Sequence, residues 1–198
     1  MKKIFIASKN KGKIDEIRSY LTPFGYEIFS LIDMPNIPDI EETGSTFEEN
    51  AMIKAKAVFD VVKIPVLADD SGLEVDLLNG GPGVYSARYS GEGATDEKNN
   101  AKLIRELGDA ALESRTARFK CVIALYDGMN ERFFDGVCEG NIAYKPEGTS
   151  GFGYDPLFIP KGYTLTFGEL GPDVKNRISH RGKALESLKK FLELEKYM

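Results

Sequence analysis

The stretch VLADDSGLEV, residues 66–75, joins a short apolar run to two adjacent carboxylates, Asp69 and Asp70. Residues 66–68 predict a buried strand that ends at the acids, and residues 72–78 predict a further short strand. Successive side chains of a regular strand point to opposite faces of the sheet. Only one of the two acids can therefore face a ligand cleft, unless the strand breaks between them.

Two interpretations of this acidic pair remain open from the residues alone. Ligand sites in open α/β sheets lie beyond the carboxyl ends of the strands, where this pair falls if residues 66–68 form a parallel core strand. Alternatively, both acids cap a turn at Ser71 and Gly72, which is a common use of aspartate.

The surrounding pattern alternates strand-like and helix-like segments. Residues 4–7 predict a strand, followed by an amphipathic helix with Ile14, Ile17, Tyr20 and Leu21 on one face. Thr46 and Glu49 form a capping-box pattern that opens a helix to about Val62. The other predicted elements are a strand in residues 26–31, a helix in 95–107, a hairpin of 117–126 with 132–139, a glycine-rich loop in 148–156, and a last helix from Lys183 to about Tyr197. The order predicts an α/β fold with a central mixed sheet flanked by helices.

Composition limits the possible functions. The 198 residues are 42% hydrophobic and 29% charged, which predicts one domain with a sizeable core. A formal charge of −5 argues against general affinity for nucleic acid, which requires a basic face. No apolar run approaches the roughly 20 residues of a membrane helix, so we expect a cytoplasmic protein that binds no membrane. Cys121 and Cys138 lack metal-ligand spacing, and we expect them to be buried hydrophobes.

Two loops carry residues suited to phosphate and metal. The loop SKNKGK, residues 8–13, links the first strand to a helix, where free backbone N–H groups favour an anion, although a solvated basic turn fits equally well. Glu41 and Glu42 precede another helix and carry little signal alone. One loop glutamate and one strand aspartate would nevertheless suffice for Mg²⁺, which keeps several waters and binds substrate phosphates. Because the chain has a lone histidine, Mg²⁺ or Mn²⁺ is favoured over Zn²⁺.

A third cluster lies late in the chain. It comprises SGFGYDP at 150–156, Lys175, and SHRGK at 179–183. Aromatic residues between glycines can stack on a base while the backbone approaches its edge. Ser179 and His180 could equally cap the last helix without binding any ligand.

Several of these motifs together resemble the Ham1/RdgB/inosine triphosphate pyrophosphatase family. The resemblance rests on SKNKGK at 8–13, EETGSTFEENA at 41–51, ADDSGLEVDLLNGGPGVYSARYSG at 68–91, GFGYDPLF at 151–158 and SHRGKAL at 179–185. It spans nearly the whole chain in the expected order. It implies a single nucleoside triphosphate pyrophosphatase domain over residues 1–198, with an elongated mixed sheet, two lobes and an active-site cleft between them.

The resemblance also implies an activity and a set of site residues. The reaction would be Mg²⁺-dependent hydrolysis of ITP, dITP and XTP to the monophosphate and pyrophosphate, which removes deaminated purines from the nucleotide pool, in a protein that is usually a homodimer. Asp70 maps to the catalytic base, and Glu41 and Asp70 map to the metal. The positions that map to substrate binding are Ser8, Lys9, Asn10, Lys11, Gly12, Lys13, Ser71, Phe152, Gly153, Tyr154, Asp155, Lys175, His180 and Arg181.

Rival functions remain at this stage. A Maf-type nucleotide pyrophosphatase would act on other noncanonical triphosphates. A nucleotide sensor would bind without turnover, although Glu41, Asp70 and Lys13 together argue against it, because a sensor gains nothing from a positioned base. A nucleic-acid-binding protein would need a basic face that the net charge does not promise.

Overall fold

The structure, a computed structural model, describes residues 2–195. It contains six strands and five α-helices within those residues. The strands are β1 (Lys2–Ile6), β2 (Tyr26–Ser30), β3 (Val66–Val75), β4 (Thr116–Tyr126), β5 (Glu131–Ile142) and β6 (Phe158–Pro160). The helices are α1 (Lys11–Leu21), α2 (Phe47–Val62), α3 (Asp96–Leu107), α4 (Phe167–Ile178) and α5 (His180–Glu195). The predicted end of the last helix, Tyr197, lies outside the described residues.

The strands form one six-stranded mixed sheet in the order β2-β1-β3-β4-β5-β6. β1 runs parallel to both β2 and β3, whereas β5 and β6 are antiparallel. Helices flank this sheet, so the predicted α/β class with a mixed sheet is confirmed. No helix among residues 2–195 combines the length and apolarity that a membrane crossing needs.

The observed course of β3 differs from the sequence-based prediction for residues 66–78. It is one continuous strand of ten residues, so the predicted strand end at the acids, the separate strand at residues 72–78 and the capped turn at Ser71 are all wrong. β3 is hydrogen-bonded on both sides, to β1 and to β4. The two ladders outweigh the local turn preference of Asp, Ser and Gly, because strand propensity depends strongly on context.

The parallel part of the sheet nevertheless ends just before the acids. The register pairs Phe5 with Val66 and Ile6 with Leu67, and the backbone N–H of Ala7 donates to the carbonyl of Leu67 at 2.8 Å. Asp69 and Asp70 thus lie beyond the carboxyl end of β1, which is the usual position for ligand sites in α/β sheets.

The chain divides into two compact units. Unit 1 comprises the described residues of 1–70, 121–135 and 183–198, and unit 2 comprises residues 71–120 and 136–182. The apolar faces predicted for the first and last helices are both buried in the core of unit 1, through residues that include Ile14, Ile17, Leu185 and Leu188. The core of unit 2 includes Leu73, Leu103, Phe119, Cys138, Tyr154, Phe158 and Phe167.

Local signals set several helix boundaries. The side chain of Thr46 accepts from the backbone N–H of Glu49 at 3.1 Å, which confirms the predicted start of α2. Ser179 Oγ accepts from the N–H of Gly182 at 3.1 Å, so α5 begins at His180 rather than Lys183. The sequence analysis missed β6 and α4, although Thr166 and Glu169 form a capping box at the start of α4.

Candidate active site

The loop between β1 and α1 is shorter than predicted, because α1 begins at Lys11. Asn10 caps this helix, since its Oδ1 accepts from the backbone N–H of Lys13 at 3.1 Å. Lys9 pairs with the exposed Asp39, and Lys11 pairs with Asp15 across one turn of α1. Of these three described lysines, Lys13 is the one that forms an ion pair with an acid of β3, Asp69.

The acidic pair of β3 lies wholly in unit 1, and both of its members are buried. Asp69 is 2% exposed and Asp70 is 6% exposed. Asp69 forms an ion pair with Lys13 through Oδ1, and its Oδ2 accepts from the thiol of Cys121 at 3.0 Å. The Oδ1 of Asp70 instead lies 3.3 Å from the ammonium of Lys54 on α2. The two carboxylates have different partners, as expected for adjacent residues of an unbroken strand.

Asp70 retains an unsatisfied carboxylate oxygen. Its Oδ2 is buried and has no hydrogen-bond partner among the described residues. Burial raises the pKa of Asp70 above its ordinary value, while the positive charges of Lys54 and Lys13 act in the opposite direction. Because an unpaired buried carboxylate oxygen is costly, this atom is suited to a cation or a water held in the site.

Lys54 links the acids of this region. Its ammonium donates to the backbone carbonyl of Asp69 at 2.8 Å and lies 3.1 Å from Oε1 of Glu42. Burial lowers the pKa of Lys54, but the carboxylates of Asp70, Glu42 and Asp69 outweigh it, and the pKa is raised overall. The sequence held a signal for this residue, because Lys54 lies three residues after Ala51 and four before Val58, on the apolar face of α2.

The residues around Asp70 fit Mg²⁺ by the chemistry of their donors. Among residues 2–195 there is no cluster of three or more His, Cys, Asp or Glu that could hold a metal ion. Mg²⁺ does not need one, because it commonly binds one or two carboxylates together with water and substrate phosphates. The unsatisfied Oδ2 of Asp70 supplies one such donor. Glu42 is half-buried against Lys54, whereas the side chain of Glu41 is exposed to solvent.

Unit 2 contains a second group of the predicted residues, centred on the glycine-rich loop. The ammonium of Lys175 donates to Oδ2 of Asp155 at 2.7 Å and lies 4.3 Å from the ring centre of Phe152. The same carboxylate oxygen accepts from the backbone N–H of Phe152 at 2.8 Å. Asp155 and Lys175 are both buried, so they fix the orientation of the loop below the partly exposed Phe152 ring.

Arg181 and His180 begin α5 and are also buried in unit 2. Arg181 is 1% exposed, donates to Oγ of Ser71 at 2.9 Å, and lies 5.6 Å from the ring centre of Phe152. The imidazole of His180 stacks on Phe119 with ring centres 4.6 Å apart. Phe152, Lys175, Arg181 and Ser71 are thus connected through direct contacts.

The middle of the glycine-rich loop is held by the core of unit 2. The hydroxyl of Tyr154 donates to the carbonyl of Ser86 at 2.8 Å, and its ring is buried. The backbone N–H of Gly153 donates to Asp96 at 2.7 Å, and its carbonyl accepts from Asn100 at 3.0 Å. Of the two loop aromatics, Phe152 therefore has the ring available to stack on a ligand, and Tyr154 anchors the loop.

Comparison with known proteins decides the family. A model of the Ham1 family matches residues 4–191. The chain belongs to the Ham1 family. This Ham1 chain is 50% identical over 194 residues to a protein named dITP/XTP pyrophosphatase from Oceanobacillus iheyensis, covering 97% of this chain and 98% of the relative. It is also 50% identical over 194 residues to the Bacillus subtilis protein of the same name, covering 98% of each chain.

Solved structures of other Ham1 proteins share the fold of this Ham1 chain. A HAM1 protein from Coxiella burnetii is 44% identical and superposes with a TM-score of 0.89, over 98% of this chain and 99% of that one. The Staphylococcus aureus Ham1 protein is also 44% identical and gives a TM-score of 0.87, over 98% of this chain and 100% of that one. These matches confirm the family resemblance and the α/β fold.

Proposed function

We propose that this Ham1 chain hydrolyses noncanonical purine nucleoside triphosphates, namely ITP, dITP and XTP, to the nucleoside monophosphate and pyrophosphate. The observation that carries the proposal is the identity of about half the residues, over nearly the full chain, with relatives named dITP/XTP pyrophosphatases. The reaction would remove deaminated purines from the nucleotide pool. The buried acids and lysines of unit 1 provide groups suited to this chemistry.

The proposed phosphate and metal residues lie in unit 1. Asp70, with a glutamate of the 41–42 loop, would hold Mg²⁺, with Mn²⁺ as a possible substitute. Following the family pattern, we assign this glutamate as Glu41. When bound, the metal would neutralise negative charge on the triphosphate. Lys13, at the N-terminal turn of α1, and the loop of residues 8–12 would bind phosphate oxygens, because a helix N-terminus favours an anion. The N–H groups of Ser8 and Asn10 already donate to the carbonyl of Ile6 and to Oγ of Ser8, so the backbone donors would be the N–H groups of residues 9, 11 and 12.

Asp70 is the proposed general base. Its carboxylate is buried, which raises its pKa above the ordinary value and makes it a better proton acceptor than an exposed aspartate. Oδ2 has no hydrogen-bond partner among residues 2–195, so one of its lone pairs would be available to the metal and the other to the proton of an attacking water. Oδ1 is held near Lys54, which fixes the orientation of the carboxylate. The water would attack the α phosphorus, and pyrophosphate would leave.

The proposed base-recognition residues lie in unit 2. Phe152 would stack on the purine, and Ser71, residues 153–155, Lys175, His180 and Arg181 would contact the nucleotide. Hypoxanthine and xanthine carry an oxygen acceptor at C6, where adenine carries an amino donor. Donors such as the Arg181 guanidinium and backbone N–H groups would face another donor if adenine were bound. A site built to hydrogen-bond one group can reject analogues without it by about 10⁴- to 10⁵-fold.

The domain organisation, cellular location, oligomeric state and partner of the protein are also proposed. We propose that the two units together constitute a single nucleoside triphosphate pyrophosphatase domain, which the family match across residues 4–191 supports. We also propose that the protein is a cytoplasmic homodimer whose partner is the small-molecule nucleotide rather than nucleic acid or membrane.

Product analysis across a substrate panel tests the proposed function. The purified protein is incubated with dITP, XTP, dATP, dGTP and a modified pyrimidine nucleoside triphosphate, with Mg²⁺ or with EDTA, and the products are identified by ³¹P NMR. We expect monophosphate and pyrophosphate from dITP and XTP, little product from dATP or dGTP, and none with EDTA. Preferential cleavage of modified pyrimidine triphosphates would favour a Maf-type specificity, and binding of dITP without turnover would favour a sensor.

A further inference from the structure

We propose that Asp69 is a positioning residue that holds Lys13 in place for the substrate triphosphate, and that Cys121 in turn holds Asp69. This inference rests on the proposed function, because it assigns a task to the member of the acidic pair that the chemistry does not use. It explains why the chain places two adjacent acids in one buried strand.

The geometry around Asp69 gives its two oxygens different tasks. Oδ1 forms the ion pair with Lys13, and Oδ2 accepts from the Cys121 thiol at 3.0 Å. The Asp69 side chain is fully buried, and only 18% of the Lys13 side chain is exposed. The carboxylate therefore has a fixed orientation, with a cation on one side and a weak donor on the other.

The three residues come from three different elements of unit 1. Lys13 lies in the first turn of α1, Asp69 in β3, and Cys121 in β4. The β3 backbone is further fixed at this point, because the carbonyl of Asp69 accepts from the Lys54 ammonium at 2.8 Å. A long and flexible lysine is thereby tied to a buried aspartate that contacts both α2 and β4.

If Asp69 positions Lys13, removing the charge of Asp69 should change polyanion affinity in the direction opposite to the one that simple electrostatics predicts. Asp69 places a negative charge near the proposed phosphate site, so removing that charge should by itself tighten the binding of a polyanion. If Asp69 positions Lys13, removing the charge should instead weaken that binding, because the ammonium would lose its orientation. The two accounts predict opposite signs for one substitution.

The first experiment uses this difference in sign. The affinity for inorganic triphosphate is measured by calorimetry for the wild type and for Asp69→Asn, and the steady-state constants for dITP are measured alongside. We expect Asp69→Asn to weaken triphosphate binding and lower kcat/KM for dITP by about 10- to 100-fold. Unchanged or tighter binding would overturn the proposal. Failure of the wild type to turn over dITP or XTP would count against the proposed function alone, because the calorimetric result stands without turnover.

A double-mutant cycle separates positioning from general damage to the fold. In a Lys13→Met background there is no ammonium left to position, so we expect Asp69→Asn to have little further effect on triphosphate affinity. Additive losses would contradict the proposal, because they would mean that Asp69 acts independently of Lys13.

Cys121 provides a milder test that keeps both charges. Cys121→Ser keeps a donor for Oδ2 of Asp69, whereas Cys121→Ala removes it, and Cys138→Ala is the control because Cys138 is buried in unit 2. We expect Cys121→Ala to weaken triphosphate binding severalfold, with Cys121→Ser closer to the wild type and Cys138→Ala unchanged. Equal losses in Cys121→Ala and Cys138→Ala would overturn the role of the thiol, and the same series applies if Asp69→Asn does not fold.

Discussion

The ammonium of Lys54 lies 3.3 Å from Oδ1 of Asp70, while Oδ2 of the same carboxylate has no hydrogen-bond partner among the described residues. Lys54 thus occupies one oxygen of the proposed base and leaves the other available. Burial raises the pKa of Asp70, and Lys54 is the strongest of the charges that oppose this rise. The ionisation of Asp70, and with it metal binding and proton transfer, should therefore depend on Lys54.

Replacing Lys54 should change how metal affinity depends on pH. A proton competes with a metal ion for Asp70, so affinity should fall as the pH drops through the raised pKa of Asp70. Lys54→Met removes a charge that lowers this pKa, and the loss of affinity should begin at higher pH than in the wild type. The dissociation constant for Mn²⁺, measured by calorimetry between about pH 5 and pH 8, checks this expectation.

Lys56→Met is the matched control for that experiment. Lys56 lies on the same helix, carries the same charge, and pairs with Glu131 at 2.5 Å, away from Asp70. We expect its Mn²⁺ profile to follow the wild type. If Mn²⁺ affinity falls at the same midpoint pH in Lys54→Met and Lys56→Met, the coupling between Lys54 and Asp70 is refuted.

Removing the proposed base should reduce turnover while leaving the fold intact. Asp70→Asn keeps the size of the side chain but removes the proton acceptor and one metal donor. We expect kcat for dITP to fall by at least about 10²- to 10⁴-fold, the usual contribution of general-base catalysis. Circular dichroism should show an unchanged fold. Near-normal turnover of Asp70→Asn would mean that Asp70 is not the general base and would make Asp69 the candidate.

The two adjacent glutamates should respond differently. Family resemblance assigns the metal to Glu41, whereas Glu42 is engaged by Lys54 at 3.1 Å. We expect Glu41→Gln to raise the Mg²⁺ concentration for half-maximal activity by about tenfold or more, and Glu42→Gln to raise it less. Activity titrated with Mg²⁺ at saturating dITP measures both. The reverse order would assign Glu42 as the metal ligand.

A methyl group at Gly151 should disturb the loop that carries Phe152. Gly151 has φ +81°, and a Cβ added there would lie 2.0 Å from Oδ2 of Asp155, the oxygen that binds Lys175. We expect Gly151→Ala to raise KM for dITP by about tenfold, equivalent to about 1.4 kcal/mol. Gly162→Ala has a similar φ of +86° but no heavy atom within 4 Å. An equal rise of KM in both variants would indicate backbone strain rather than displacement of Asp155.

Buried Arg115 should contribute to the stability of unit 2. It is 1% exposed and donates to the carbonyls of Gly108, Ala110 and Ala143. Arg115→Met would leave these carbonyls without that donor, and we expect the free energy of unfolding to fall by about 3–5 kcal/mol. Urea denaturation measures this loss, with the exposed Arg105→Met as the control. A loss below about 1 kcal/mol would mean that water replaces the guanidinium.

The periodic and capped elements could be predicted from the sequence, because their signals are local. The apolar faces of α1 and α5 and the Thr46 cap of α2 all rest on residues within a few positions of one another. The course of β3 could not be predicted in this way. Its continuation through Ser71 and Gly72 depends on ladders to β1 and β4, which are distant in sequence.

The candidate site shows the same division between local and distant information. The loop 8–13, Asp70 and the glycine-rich loop were found from composition and motif. The arrangement of Lys54, Glu42, Cys121 and Asp69 was not, because these contacts join residues that are far apart along the chain. A lysine on the apolar face of α2 was the one local sign of this network.

Hydrolysis of dITP in water enriched in ¹⁸O tests the central claim most directly. If water attacks the α phosphorus, the label should appear in the deoxyinosine monophosphate, and the pyrophosphate should remain unlabelled. Mass spectrometry of the two products from a single reaction shows which of them carries the label. Label in the pyrophosphate would place the attack at the β phosphorus, and orthophosphate as the first product would place it at the γ phosphorus. Either result would contradict the proposed reaction.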